Sequence, residues 1–379
     1  MYSYEWDPET RGLLLKRDIA QFVAFEIRPV FAEELLAAGM DSHFIFDHNE
    51  KRPLMWAQRN IFYADGEKQA QVNKVRQGEN LNIKYYFEGT RELHPVDVER
   101  MVEKNSSIMN SIVSDTKRRT KELFDEDQDR CDTAYIAFSG GKDSIVLLDI
   151  CNRVLPTSVS VIFSDTDMEI PDSYKIWDEI QEKYPQREFV RAKAESRALD
   201  NWITFGPPAR GIRWCCSVHK STPAIIELKK KLHKDSIKVM AFVGVRGDES
   251  YLRSFYEDSG DGKKNASQIN KMPILEWGSH EVWLYIFAEK LPINEAYRKG
   301  LPRVGCVMCP ESSPKYEWYI EKAYSGILEP YNKIIIETSS KTFRNKEDEE
   351  DFLANLGWQA RKSGTLLSEN VSNPIEKTE

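Results

Sequence analysis

The stretch Ala134-Tyr-Ile-Ala-Phe-Ser-Gly-Gly-Lys-Asp-Ser-Ile-Val-Leu-Leu-Asp-Ile150 decides the fold. Ala134 to Phe138 is a short run of the fully buried strand type, Ile145 to Arg153 an apolar helix, and Ser139-Gly-Gly-Lys-Asp-Ser144 the loop between them. Two consecutive glycines let the backbone approach a ligand and aim N–H groups at it, while the helix presents its positive end. Lys142 adds a point charge, and the hydroxyls of Ser139 and Ser144 can donate to phosphate oxygens. The arrangement is not G-x-x-x-x-G-K-[ST]. Asp143 suits a magnesium ligand or a first-turn helix residue.

The same alternation continues outward. Ser158 to Phe163 forms a second strand that ends in Ser164-Asp-Thr-Asp167, and a helix follows from Asp172 to Lys183. Glu188 to Arg191 begins a third unit, and Lys238 to Val243 is a later strand ending in Gly244-Val-Arg-Gly-Asp-Glu249. Strands alternating with helices predict an α/β fold, a doubly wound and mostly parallel sheet covered on both faces. Ligands of such sheets bind at the carboxyl ends of the strands, where all these polar loops fall. Asp165 and Asp167 would hold a metal or a ribose hydroxyl there, or cap the next helix. Arg246 and Arg253 suit a phosphate or sulfate clamp, with Glu249 fixing the fork of one of them. Trp277 and Trp283, among apolar neighbours, read as core.

Before this region, Ile27 to Phe31, Phe44 to Phe46 and Asn82 to Phe87 read as strands and Phe31 to Ala38 as a short helix. Val96 to Val113 carries apolar residues at helical spacing, predicting one or two helices over 95–127. The organisation is a small α+β module over 1–127, a nucleotide-binding domain over 128–325, and a helical extension over 326–379 whose tail from Ser368 is polar.

The chain has 379 residues, with 53 Lys+Arg against 61 Asp+Glu. A net charge of −8 disfavours a blanket grip on nucleic acid. No run of roughly 18 apolar residues occurs, and the start lacks the layout of a signal peptide, so the expected location is cytoplasmic and no membrane partner is expected. Six cysteines are too few for a disulfide scaffold and are unevenly spaced. Cys215 and Cys216 are adjacent, Cys306 and Cys309 form a C-x-x-C, and Cys131 and Cys151 stand alone as packing residues. Four thiolates suit tetrahedral zinc or an iron–sulfur cluster, and spacing alone does not choose.

Ser139-Gly-Gly-Lys-Asp-Ser144 resembles the pyrophosphate loop of the adenine nucleotide alpha-hydrolase-like (PP-loop) superfamily. Asp165 to Asp172, Gly244 to Ser250 with Arg253, Pro273 to Trp277, Val282 to Ile286, Leu291 to Asn294 and Tyr297 to Gly300 resemble blocks of its phosphoadenosine phosphosulfate (PAPS) reductase branch, in the expected order over ~130 to ~325. The resemblance implies a site in which Ser139, Gly140, Gly141, Lys142, Asp143, Ser144, Asp165, Arg246, Glu249 and Arg253 bind ATP or an adenylyl nucleotide (adenylyl sulfate or PAPS) with Mg²⁺. Lys142, Asp143 and Arg246 would take the catalytic roles. Arg213-Trp-Cys-Cys before Lys220 and Gly305-Cys-Val-Met-Cys-Pro310 resemble the 4Fe-4S signature of adenylyl-sulfate reductases, implying Cys215, Cys216, Cys306 and Cys309 as ligands.

Those reductases also carry a nucleophilic Cys in a C-terminal E-C-G-L-H segment. No Cys follows Cys309 in this sequence. The resemblance therefore implies an enzyme that adenylates an acceptor, releases pyrophosphate and transfers sulfur with help from the cluster. A reductase using a thiol in trans and a non-catalytic nucleotide sensor are the alternatives. The implied partners are a cysteine-desulfurase-like sulfur donor or a thioredoxin-like reductant. A nucleic-acid acceptor would be steered by Lys117, Arg118, Arg119 and Lys121 with Lys229 to Lys231, although charge runs on helices are more often solvated faces.

Overall fold

The computed structural model describes residues 1–19, 26–73, 75, 80–262, 266–355 and 357–359. Its centre is a six-stranded sheet in the order Phe189–Lys193, Ser160–Asp165, Thr133–Phe138, Val239–Phe242, Gln268–Lys271, Ser259–Asp261. The first five run parallel and the last is antiparallel. Side-chain alternation splits each strand between two cores. Ile136, Phe138, Val161, Phe163, Met240 and Phe242 join one that includes Ile145, Leu148 and Trp177. Tyr135, Ile162, Val239 and Ala241 join the other, with Ala224, Ile225 and Leu228. The sheet is doubly wound, as the strand–loop–helix alternation predicts.

Strand order reverses at Thr133–Phe138, whose neighbours are Ser160–Asp165 on one side and Val239–Phe242 on the other. A crevice opens where two connections leave such a strand in opposite directions. The helix Lys142–Val154 starts there. Two strands escaped the sequence reading, Ser259–Asp261 and Gln268–Lys271. Their polar composition hides them. Lys271 is nevertheless fully buried, its ammonium donating to Asp127 at 2.7 Å and to the Ser259 hydroxyl at 2.8 Å.

The first part of the chain contains more strand than its sequence suggests. A hairpin pairs Tyr2–Asp7 with Gly12–Ile19, and an antiparallel sheet runs Ile27–Val30, Met55–Gln58, Ile61–Ala64, Glu67–Val72, Ile83–Tyr85. The helical pattern over 95–127 is one helix, Val98–Asp125, begun by Asp97 accepting from the Arg100 N–H at 3.1 Å. Leu13, Leu15, Trp56, Met101 and Leu123 share the main core with Ile145, Trp283 and Tyr285, so the core runs across the expected boundary at 127. Trp277 and Trp283 are buried, as is Cys151, whereas Cys131 is half-buried.

Beyond the sheet, helices Pro314–Ala323, Glu329–Thr342 and Lys346–Ala354 pack with Trp202, Met308 and Cys215 in a further cluster. The tail expected from Ser368 lies outside the described residues. Among those described, no helix is long and apolar enough to cross a membrane.

Lys315 joins this C-terminal part to the N-terminal sheet. Its ammonium donates to the Arg59 carbonyl at 3.1 Å and lies over the Phe62 ring. Burial, with help from nearby Arg28, pulls its pKa down to about 8. A folded-state pKa below that of the free side chain means that the unfolded chain holds more protons between pH 8 and 10.5, so stability rises with pH there. Lys315→Met removes this dependence. In thermal melts the variant should outlast the wild type at pH 7.5, and the gap should shrink by on the order of 2 kcal/mol by pH 9.5.

Candidate functional site

Gly140 stands at φ +73°, and a Cβ there would lie 2.9 Å from the Ile176 methyl, so the turn accepts only glycine without strain. Gly141 precedes the helix in extended conformation. The Ser144 hydroxyl donates to the Gly141 carbonyl at 2.8 Å and accepts from the Ser139 N–H at 3.2 Å, closing the loop on itself. Two residues quoted above only as part of family blocks also shape it. Asn294 donates to the Gly140 carbonyl at 3.0 Å, and the Tyr297 hydroxyl accepts from the Lys142 N–H at 3.0 Å. Gly244 lies against the same helix, where a Cβ would meet Asp143 and Ser144 backbone at 3.0 to 3.1 Å.

Charged side chains crowd behind the loop. Lys142 is buried and donates to Asp143 at 3.0 Å and to Glu26 at 3.2 Å. Burial opposes its charge, but Asp143 and Glu26 outweigh burial and hold its pKa above the usual lysine value. Burial would likewise raise Asp143 and Glu26, yet Arg246 and Lys142 keep both below the usual carboxylate range. Arg246 is fully buried, with its Nε 2.6 Å from Asp143 and its two terminal nitrogens on Asp248 and Glu26.

These contacts alter several of the expected roles. Arg246, expected to clamp phosphate, ties three acidic residues together because its fork is enclosed beneath the loop. Asp143, expected as a magnesium ligand, has one carboxylate oxygen on Lys142 and the other on Arg246. Each of its oxygens is thus already engaged by a cationic side chain. Glu249 accepts from the Arg246 backbone N–H at 3.0 Å and pairs with the Arg253 guanidinium, fixing the second of the two forks. Asp165 is also corrected. One of its oxygens accepts from Arg191 at 2.6 and 2.9 Å, the other from Tyr174 at 2.8 Å and the Asp167 N–H at 2.9 Å, so this carboxylate faces its own loop and the neighbouring strand instead of a metal or ribose. Asp167 accepts from the first N–H of helix Ala198–Phe205 at 3.1 Å, whereas the next helix, Pro171–Lys183, has Ile170 at its N-cap and no side-chain cap.

Two other loops bring the four cysteines together. Cys215 lies in the short helix Trp214–Cys216, which runs into a π-type turn over Ser217–Ser221. Cys306 bridges to Glu169 in antiparallel fashion, and the neighbouring Val307 N–H donates to the Met168 carbonyl at 2.7 Å. Its sulfur is 3.4 Å from the Thr166 hydroxyl. A hydrogen bond with Cys216, then burial, then the charges of Cys216, Cys306 and Cys309 push the Cys215 thiol well above the usual range. All six cysteines are free. Four thiols near enough for three of them to act on Cys215 match a thiolate-bound cation in donor type. Among the described residues, no group of three or more His, Cys, Asp or Glu is arranged to hold a metal ion.

One cleft of 520 Å³ joins the two features, lined at one end by Gly141, Lys142 and Ser144 and at the other by Glu169, Lys220 and Cys306. Its size is that of a small-molecule site. Glu26, in the same wall, is the residue that sequence reasoning missed, since it lies outside every motif. Part of the first basic run is engaged in ion pairs on its own surface. Arg118 pairs with Asp115 and Glu122, Arg119 with Asp258 and Glu126, and Lys121 with Asp125.

A glycine-rich phosphate loop at the switch point of a doubly wound sheet places the protein in the class of PP-loop α/β proteins. Residues 133–312 match the family described as Phosphoadenosine phosphosulfate reductase domain. Two uncharacterized proteins of Methanocaldococcus jannaschii are 26% and 29% identical over 71% and 73% of the chain. The matches span 56% and 64% of those proteins' own lengths. An adenosine 5'-phosphosulfate reductase of Halalkalibacterium halodurans is 29% identical over 47% of the chain and 74% of the reductase. Among solved structures, a phosphoadenylyl-sulfate reductase from Candida auris in complex with phosphate is 19% identical, covering 49% of this chain and 87% of that one, with a TM-score of 0.38. The U34-tRNA thiolase from Methanococcus maripaludis with its 4Fe-4S cluster is 16% identical, covering 64% and 80%, with a TM-score of 0.36.

Gly140→Ala tests the loop geometry. The left-handed backbone and the approach to Ile176 should together lower stability by about 1–3 kcal/mol in chemical denaturation. A variant as stable as the wild type would contradict the turn described.

Proposed function

We propose that the protein is a PP-loop enzyme that binds ATP, adenylates an acceptor with release of pyrophosphate, and transfers sulfur with the assistance of a thiolate-bound iron–sulfur cluster. The observation that carries this reading is the single cleft with the phosphate loop at one end and Cys306 at the other. The Lys142 ammonium and the Ser139 hydroxyl hold the terminal phosphates on a loop that Ser144 closes, and the positive end of helix Lys142–Val154 stabilises the charge that builds on departing pyrophosphate. An acceptor oxygen attacks the α-phosphorus as the bond to pyrophosphate breaks. A sulfur nucleophile then displaces AMP from the adenylated acceptor. Cys215, Cys216, Cys306 and Cys309 would hold the cluster, which supplies a site for binding sulfur. Arg246 acts as a positioning residue, holding the 244–249 loop to Asp143 in the first turn of the phosphate helix.

A second reading is favoured by the relatives named adenosine 5'-phosphosulfate reductase. In it, the same cleft takes an adenylyl sulfate, and a thiol from a thioredoxin-like partner supplies the nucleophile that this sequence lacks after Cys309.

Anaerobic purification followed by iron analysis and a visible spectrum tests the cluster. Iron and a brown colour are expected, both lost on Cys215→Ser with Cys306→Ser, while a colourless zinc-loaded protein would sink the reading. Assays for pyrophosphate from ATP and for sulfite from adenylyl sulfate with thioredoxin separate the two chemistries. Lys142→Ala with Asp143→Ala should weaken ATP binding by about tenfold or more, the equivalent of one charge-assisted hydrogen bond. Unchanged binding would refute the assigned loop.

A further inference from the structure

Lys142 and Arg246 face three carboxylates, those of Glu26, Asp143 and Asp248. Asp143 belongs to the phosphate helix and Asp248 to the loop that packs on it. Glu26 belongs to neither. It enters from the N-terminal part of the chain, one residue before the strand Ile27–Val30. That strand is anchored by pairing of Ile27 with Gln58 and by the Ser279 hydroxyl, which donates to the Ile27 carbonyl at 2.5 Å.

The Glu26 carboxylate thus occupies the ammonium of Lys142, the group best placed to meet a terminal phosphate. Its own charge is firmly held, since Lys142 and Arg246 keep it ionised against the effect of burial. Without Glu26, two cations would face two carboxylates. With it, a third carboxylate shares these two cations, and a phosphate group arriving at Lys142 must compete with the Glu26 carboxylate for the same ammonium.

The structure also offers the side chain somewhere to go. Glu26 and Lys142 line the 520 Å³ cleft on one side and, on the other, a separate cavity of 180 Å³ whose walls include Arg28 and Arg59. A glutamate has three rotatable bonds, so its carboxylate can cross from one to the other while its backbone stays in the sheet.

We propose that Glu26 is a resident counter-anion of the phosphate loop, displaced from Lys142 toward the side cavity by the terminal phosphates of an incoming nucleotide. It rests on the assignment of that loop as a phosphate site. The N-terminal part of the chain thereby sets the threshold for nucleotide entry, favouring ligands whose phosphate charge outcompetes a single carboxylate.

Isothermal titration calorimetry of the full chain with inorganic pyrophosphate and with ATP tests this exchange. Glu26→Gln should bind both about tenfold tighter than the wild type, by removing the competing charge at nearly the same volume. Equal or weaker binding by a folded Glu26→Gln, with the wild type still binding, overturns the exchange and leaves the loop assignment standing. Loss of binding to both ligands in wild type and variant overturns the loop assignment and the exchange with it. A measurement on the wild type guards against a variant that misfolds. In the wild type, the side-chain carboxyl 13C NMR signal of Glu26 should move on saturation with pyrophosphate as the Lys142 contact is lost, and an unchanged signal in the bound protein counts against displacement.

Discussion

The site depends on a buried arginine. Arg246 donates to Asp143 on the phosphate helix, to Asp248 in its own loop and to Glu26 from the N-terminal sheet. Its charge alone would be too costly to bury, and so would three carboxylates without it. Each partner makes the others tolerable, and the arrangement therefore locks together parts of the chain separated by more than a hundred residues. Gly244 permits the approach, because any side chain there would collide with the Asp143 backbone.

Around that lock, topology places the chemistry. The parallel strands end at one edge, and reversal of strand order at Thr133–Phe138 opens the crevice in which the loop sits. The cysteine loops reach the same crevice by a different route. Glu169, following the second strand, bridges Cys306, so a loop from the nucleotide half of the domain fixes one of the four thiols. The C-terminal helices then cover that region through Tyr316, whose hydroxyl donates to the Cys306 carbonyl at 3.3 Å, and through Tyr319 and Ile320 in the same core cluster. The glycine-rich loop and Cys306 thus line one shared cleft.

Much of this was legible in the sequence. The strand, loop and helix around Ser139 to Ser144 carried their own periodicity, since a strand buried on both faces is continuously apolar and a helix start needs little besides small and polar residues. The same reasoning failed for Gln268–Lys271, a polar strand whose buried Lys271 is neutralised by Asp127 and accepted by the Ser259 hydroxyl across the fold. It failed also for the antiparallel strands between Met55 and Val72, whose short mixed sequences lack the length that makes alternation visible. For the site, sequence offered residue types and could not offer their orientations. Arg246 and Asp165 look alike in sequence to ligand-binding groups, and only their surroundings show that their polar atoms are already engaged.

The sequence by itself determined the α/β class, the glycine turn, and the grouping of cysteines into a pair and a C-x-x-C, because these follow from local sterics and short-range periodicity. Tertiary structure alone decided that the phosphate loop and Cys306 share a cleft, that Arg246 is enclosed, and that Glu26 meets Lys142. The physical reason is one of range. Backbone sterics act over a few residues, whereas burial and charge pairing act between whatever surfaces the chain brings together, and Glu26 lies 116 residues from its lysine.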